Sequence, residues 1–174
     1  MKTAIEKYKN VFDSDTCNKI IKIIEANLDQ AVDTVHSTGQ SVICKELRVP
    51  SIGLRDFINK EIHKFLTEYQ IKYRYWNAYN NSGLQLRRIT GATKEHVDVQ
   101  NIIKSETSRD TRNVSVIIGL NSDYEEGTFH FPYQDYTTTV KQGEAIVFPV
   151  WFMYPHSVDA PIGYRYTINT WYQY

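Results

Sequence analysis

The chain has 174 residues and a mass of 20.3 kDa, inside the range of one compact domain, so a two-domain enzyme is not expected. Hydrophobic residues at 41% and charged residues at 23% exclude a disordered chain, a coiled coil and a collagen-like repeat. Twenty Lys and Arg balance twenty Asp and Glu, which leaves no global charge to draw nucleic acid or an anionic membrane, so partners must be chosen at a local site.

Helical periodicity comes first in chain order. In DSDTCNKIIKIIEANLD, Asp13 or Ser14 can cap, and Cys17, Ile20, Ile21, Ile24 and Leu28 recur at three- and four-residue steps. In SIGLRDFINKEIHKFLTEY a second stripe runs through Leu54, Phe57, Ile58, Glu61, Ile62, Phe65, Leu66 and Tyr69, with His63 off it. From Tyr73 the period changes to two: YRYWNAY, GLQLRRI, RNVSVIIGLN, GTFHF, TTTV, EAIVF and RYTINTWYQY, separated by turn-forming clusters, read as short strands. The 13 Tyr, 7 Phe and 3 Trp suit such half-buried strands. The expectation is an α+β single domain over 1–174, with helical support over about 1–70 and a β-barrel or sandwich over about 73–174. Cys17 and Cys44 have no CxxC spacing, and MKTAIEKYKNVF carries no apolar leader run, which points to reduced thiols and a cytoplasmic protein with no membrane span.

GATKEHVDVQ sets His96 and Asp98 two residues apart, which on an extended strand turns both side chains to one face. His156, in FPVWFMYPHSVDAP, is the candidate third ligand. Two imidazoles and one carboxylate suit Fe(II) and leave three positions open for a co-substrate and dioxygen. Five His and ten Asp in the chain give roughly 0.3 chance HxD matches, so the motif gains its meaning from the C-terminal strand. Nine residues after His156 comes Arg165, on a strand whose Thr167, Asn169 and Trp171 share its face. A guanidinium there can hold a carboxylate through two parallel bonds. A metal triad near one fixed cation describes a pocket for a small dicarboxylate, 2-oxoglutarate.

The blocks LQLRRITGATKEHVD, RNVSVIIGLNSDYEEGTFHFP, GEAIVFP, PHSV and RYTINTW resemble the Fe(II)/2-oxoglutarate dioxygenases, in their prolyl 4-hydroxylase-like branch. HVD together with RYTINTWYQY is similar to the hypoxia-type prolyl hydroxylases, whose basic residue is likewise Arg where many collagen-type relatives carry Lys. VFDSDTCNKIIKII resembles the opening helix of that branch. The resemblance implies a double-stranded β-helix with supporting helices, iron on His96, Asp98 and His156, and the distal carboxylate of 2-oxoglutarate on Arg165. It departs at Arg88, which stands, give or take one alignment gap, where the family usually has Tyr, and in a loop before HxD that is one residue shorter.

The remaining candidates divide between pocket and scaffold. Alternation of Leu84, Leu86 and Arg88 ends an apolar stripe on a charge, which makes Arg88 a candidate second cation for the co-substrate; a one-residue slip would instead put Gln85 and Arg87 inside. Asn169 and Trp171 are candidate pocket residues, Asn169 because an unpaired inward amide is costly. His36, His63 and His130 read as ordinary residues, His130 having no suitably spaced carboxylate; Gly127 reads as a turn or bulge, and Asp123, Glu125 and Glu126 as a solvated loop. The function expected is hydroxylation of an unactivated C–H bond, and the resemblance points to a prolyl residue in a peptide or protein, gated by STGQS at 37–41 and the segment after Asp98. Alternatives are a related dioxygenase acting on a free amino acid or other small molecule, or a non-catalytic barrel binding module. A nucleobase substrate ranks low, because nucleobase demethylases carry a second arginine where this chain has Trp171.

Overall fold

The computed structural model describes residues 3–35, 42–74, 80–99, 101–103 and 109–173. Helix α1 (Ser14–Ala26) starts where Asp13 accepts a hydrogen bond from the Thr16 amide at 2.7 Å, and it buries Cys17, Ile20 and Ile24. Helix α2 (Ile52–Lys72) starts where the Ser51 hydroxyl accepts from the Leu54 amide, and it buries Ile58, Ile62, Phe65, Leu66 and Tyr69. Phe57 departs from the expected stripe: it is 41% exposed and stacks on Phe12 instead.

The strands are β1 (Glu6–Tyr8), β2 (Val32–Val35), β3 (Val42–Arg48), β4 (Asn80–Asn81) and β5 (Gln85–Ile89). Next come β6 (Thr93–His96), β7 (Asn101–Ile103), β8 (Arg109–Gly119), β9 (Glu125–Glu126) and β10 (Phe129–Phe131). The last are β11 (Tyr136–Thr138), β12 (Ala145–Pro149), β13 (His156–Val158), β14 (Pro161–Ile162) and β15 (Arg165–Gln173). A large antiparallel sheet runs β1-β12-β8-β15-β5-β3-β2, and a small one runs β11-β10-β13-β6.

Three layers result, with two cores. Helix residues pack with Leu84, Leu86, Val114, Val116, Ile118, Ile168 and Tyr172 on one face of the large sheet. Ile117, Phe129, Phe131, Ile146, Phe148 and Val158 fill the space between the two sheets. The large sheet is therefore covered on both faces, and every residue of β15 is buried.

Periodicity alone points to helices before residue 70, but β1, β2 and β3 lie there. β1 adds to the edge at β12, and β3 joins β5 with Leu47 opposite Leu86 and Glu46 opposite Arg87. VICKELR hides its strand because its charges are satisfied sideways, Lys45 by Asp33 at 2.8 Å and Glu46 by Arg87 at 2.8 Å, so no clean polar-apolar alternation is written. Of the expected YRYWNAY strand, Tyr73 and Arg74 come directly after α2 and positions 75–79 lie outside the described residues. No described helix is long and apolar enough to cross a membrane.

Candidate active site

The small sheet aligns His96 on β6 directly opposite His156 on β13, and their rings lie 4.4 Å apart. Asp98 sits two residues on, just past the end of β6, where the Val99 amide donates to the Val150 carbonyl at 3.1 Å. His96 Nε2 is 3.2 Å from Asp98 Oδ1, and His156 Nε2 is 3.8 Å from Asp98 Oδ2. One ligand atom from each of the three residues lies within 4.8 Å of the others, and among the described residues this is the one such cluster of His, Cys, Asp and Glu.

Each imidazole is aimed from behind. His96 Nδ1 lies 2.8 Å from the Lys94 carbonyl and His156 Nδ1 lies 3.2 Å from the Tyr154 carbonyl, so each Nδ1–H has a carbonyl acceptor and each Nε2 faces the carboxylate, where a metal would take the place of any proton on it. The Ser115 hydroxyl, from β8, donates to Asp98 Oδ2. Burial opposes charge on Asp98, but the His96 hydrogen bond, the His156 charge and the Ser115 hydrogen bond together hold its carboxyl well below the usual range. The Asp98 hydrogen bond raises His96, whereas burial lowers His156. Adjacent donors around a small divalent cation at ~2.1 Å stand about 3 Å apart, and these three side chains already approach that spacing. They fit Fe(II) with one face left open.

Beyond the triad a cavity of about 460 Å³ including its mouth runs between the sheets, lined among others by Ile117, Phe129, Arg165, Asn169 and Trp171. Arg165 is 3% exposed, yet its Nε and Nη1 are buried without a hydrogen-bond partner among the described residues. Burial pulls its guanidinium down to about 10, with a further push from Arg87. A buried cation with unused donors, across a cavity from three metal-type ligands, is a socket built for an anion. The stem of Arg165 packs beneath Gly127, where φ is +69° and an added Cβ would stand 3.3 Å from Arg165 Cδ and 3.0 Å from Tyr124 Cε2. Gly127 thus permits a close approach as well as a turn.

Asn169 and Trp171 line the same cavity. Asn169 Oδ1 accepts from Thr167 at 2.6 Å, leaving its amide nitrogen for a ligand, and Trp171 Nε1 is buried without a partner among the described residues. Arg88 is not in the cavity. It faces the helix side, 3.4 Å from Glu25 and over the Tyr164 ring at 4.7 Å. The residues that point between the sheets are its neighbours Arg87 and Ile89. The reason lies in the doubly covered sheet: Leu84 and Leu86 belong to the core under the helices, so the apolar stripe that ends on Arg88 faces away from the cavity.

His130 also differs from expectation, since its Nε2 meets Asp159 Oδ2 at 2.7 Å across the β10–β13 pairing, which sequence spacing does not reveal. His63, Asp123, Glu125 and Glu126 are exposed, and His36 and 37–41 lie outside the described residues. Ser115, Cys44 and Phe129 are site residues that the motifs do not mark, and Arg87 is the inward residue of the alternative, one-residue-shifted register. A hydroxyl at the inward position of NVSVI was the available signal for Ser115.

A family model described as the 2OG-Fe(II) oxygenase superfamily matches residues 84–173, which is half the chain and contains the triad and Arg165. The chain belongs to the 2OG-Fe(II) oxygenase superfamily. No curated protein sequence matches it. Solved structures similar to it include a viral collagen prolyl hydroxylase of Paramecium Bursaria Chlorella virus-1 in complex with 2OG, with 17% identity, a TM-score of 0.75 and coverage of 98% of this chain and 96% of that one. A Pseudomonas putida prolyl-4-hydroxylase matches at 12% identity and a TM-score of 0.74, covering 99% and 93%. A Trichoplax adhaerens prolyl hydroxylase bound to a hypoxia inducible factor peptide fragment matches at 16% and 0.66, covering 99% and 84%. At these identities the likeness establishes the fold: this 2OG-Fe(II) oxygenase is a double-stranded β-helix with helices against its large sheet.

Proposed function

We propose that this 2OG-Fe(II) oxygenase hydroxylates a prolyl residue in a peptide or protein. The observation that carries the reading is Arg165, a buried guanidinium with unpaired donors across one cavity from His96, Asp98 and His156. His96 Nε2, Asp98 and His156 Nε2 would hold Fe(II), and Arg165 would hold the distal carboxylate of 2-oxoglutarate with Asn169 beside it. Bound together with dioxygen, that pair supplies oxidation of an unactivated C–H bond, with decarboxylation of the co-substrate to succinate and carbon dioxide.

The protein's own work is positioning and drying. Ile117, Phe129 and Val158 line the cavity with hydrocarbon and exclude water from it, while Ser115, Lys94 and Tyr154 orient the ligands without moving a proton to the substrate. Two features support a chain-like substrate. The three similar structures are prolyl hydroxylases, one of them solved with a peptide fragment. Trp151, Phe152 and Met153 are 42%, 73% and 45% exposed on the turn three residues before His156, an apolar patch suited to a polypeptide more than to a small hydrophilic metabolite.

The test is to load the protein anaerobically with Fe(II) and 2-oxoglutarate, admit oxygen, and quantify succinate by mass spectrometry with and without proline-containing peptides. Peptide-stimulated succinate with a gain of about 16 Da on proline is the expected result. Turnover stimulated by free amino acids and by no proline-containing peptide or protein would replace this substrate with the small-molecule alternative.

A further inference from the structure

Arg165 is not the only guanidinium in the cavity. Arg87 lies directly across from Thr167 in the β5–β15 register, one inward position along from Arg165, and diagonal neighbours on one sheet face are within reach of each other's long side chains. Unlike Arg165, it is neutralised. Its Nε and Nη2 both donate to Glu46 Oε2, at 3.0 and 2.8 Å, and Nη2 also donates to Gln85 Oε1 at 2.6 Å. Nη1 makes no hydrogen bond among the described residues, and the guanidinium stands 5.6 Å from the Trp171 ring centroid. The fork is therefore clamped along one edge, its other edge is unused, and the clamp comes from β3, a strand outside the superfamily match.

Counting charge shows what the clamp does. Arg165 and Arg87 bring two positive charges to the cavity and Glu46 removes one; a divalent metal with Asp98 adds one more. Arg112 stacks over the Trp171 ring at 3.9 Å and does not line the cavity. The sum is two, equal and opposite to the 2-oxoglutarate dianion. Two bare guanidiniums on neighbouring inward positions of one cavity would repel each other and overcharge the socket. Resting on the reading of this cavity as the 2-oxoglutarate site, we infer that Arg87 is a second co-substrate-binding residue and that Glu46 is a specificity-determining residue, setting the charge the pocket presents to a dicarboxylate.

This division of labour makes the two partners separable, since an ion pair that only braces β3 against β5 would suffer alike from loss of either member. Arg87→Gln should weaken 2-oxoglutarate binding about tenfold and narrow the preference for 2-oxoglutarate over its C5 amide. Glu46→Gln, which frees the Arg87 fork, should do the opposite, tightening 2-oxoglutarate several-fold and steepening the loss of affinity with added salt.

The experiment is isothermal titration of 2-oxoglutarate and of its C5 amide into Mn(II)-loaded wild type and both variants, at low and high salt. Opposite shifts in the two variants support the inference. Equal affinities, or losses of similar size in both, overturn it. Should Arg87→Gln fail to fold, the Glu46→Gln arm and Arg87→Lys decide, Lys being expected to retain charge with a smaller loss than Gln. A wild-type protein that binds Mn(II) but no 2-oxoglutarate would sink the co-substrate reading itself, whereas wild-type binding without the opposed shifts sinks only the roles of Arg87 and Glu46.

Discussion

Replacing Arg165 by methionine separates a residue that serves a ligand from one that serves the fold. Burial that holds the guanidinium near 10 disfavours its charged form, and at about 1.4 kcal/mol per pH unit the depression costs the ligand-free fold about 3 kcal/mol at neutral pH. By linkage, a base whose folded pKa is depressed binds its proton less tightly when folded, so the penalty is present at all pH values well below the folded pKa. Methionine keeps most of the apolar stem under Gly127 and discards the charge. The guanidinium's contact with the Phe129 ring, at 5.2 Å, returns about 1 kcal/mol to the wild type. Arg165→Met should therefore be more stable than wild type by roughly 1 to 2 kcal/mol without ligand, a Tm rise of a few degrees for a chain of this size. With Mn(II) and saturating 2-oxoglutarate the order should reverse, because each charged hydrogen bond to the carboxylate contributes about 1.5 to 3 kcal/mol to the wild type alone. Differential scanning calorimetry of both proteins, with and without co-substrate, measures this crossing. A variant destabilised by several degrees without ligand, or a wild type that gains nothing from 2-oxoglutarate, would show that Arg165 is a structural residue.

Three further outcomes are expected. Ser115→Ala removes the hydroxyl that orients Asp98 and should weaken Mn(II) binding about 10- to 100-fold, as read by titration, with little change in the far-ultraviolet circular dichroism spectrum. Arg88→Ala should leave 2-oxoglutarate affinity at the wild-type value and cost stability about 0 to 1 kcal/mol through its partly exposed pair with Glu25; a several-fold loss of co-substrate affinity would restore Arg88 to the cavity. The metal-free protein should lose stability to urea as the solution becomes strongly acidic, because the folded pKa of Asp98 lies below its unfolded value, whereas the lowered His156 and the raised His96 act in opposite directions at milder pH. The Asp98 contribution is complete above about pH 4 and fades as pH falls through the folded value. Asp98→Asn should flatten this limb.

The legible parts of this protein were those whose physics is local. Helices α1 and α2 announce themselves because a single buried stripe is written at helical spacing, and Asp13 marks the start of the first. His96, Asp98, His156 and Arg165 are legible because a strand presents alternate residues to one face and four polar groups on inward faces call for a shared purpose. What the sequence conceals is which of two buried faces an alternation belongs to. Leu84 and Leu86 on one side, Gln85 and Arg87 on the other, are both covered, so amphipathicity cannot choose between them. Only the pairing of β5 between β3 and β15 resolves that choice, and it moves the second cation from Arg88 to Arg87. The pairs Glu46–Arg87 and His130–Asp159 are invisible for a related reason, since each joins side chains brought together by strand register, over 41 and 29 residues of chain.

In the proposed reaction, oxygen activation at His96, Asp98 and His156 is coupled to 2-oxoglutarate held by Arg165. That coupling is measured in a single turnover of anaerobic protein loaded with Fe(II), 2-oxoglutarate and a proline-containing peptide, exposed to heavy-isotope dioxygen and read by mass spectrometry. One labelled oxygen in succinate and one in the peptide, both lost in Asp98→Ala, is the expected result. Label in the peptide without succinate, or equal yields from Asp98→Ala, would contradict the coupling.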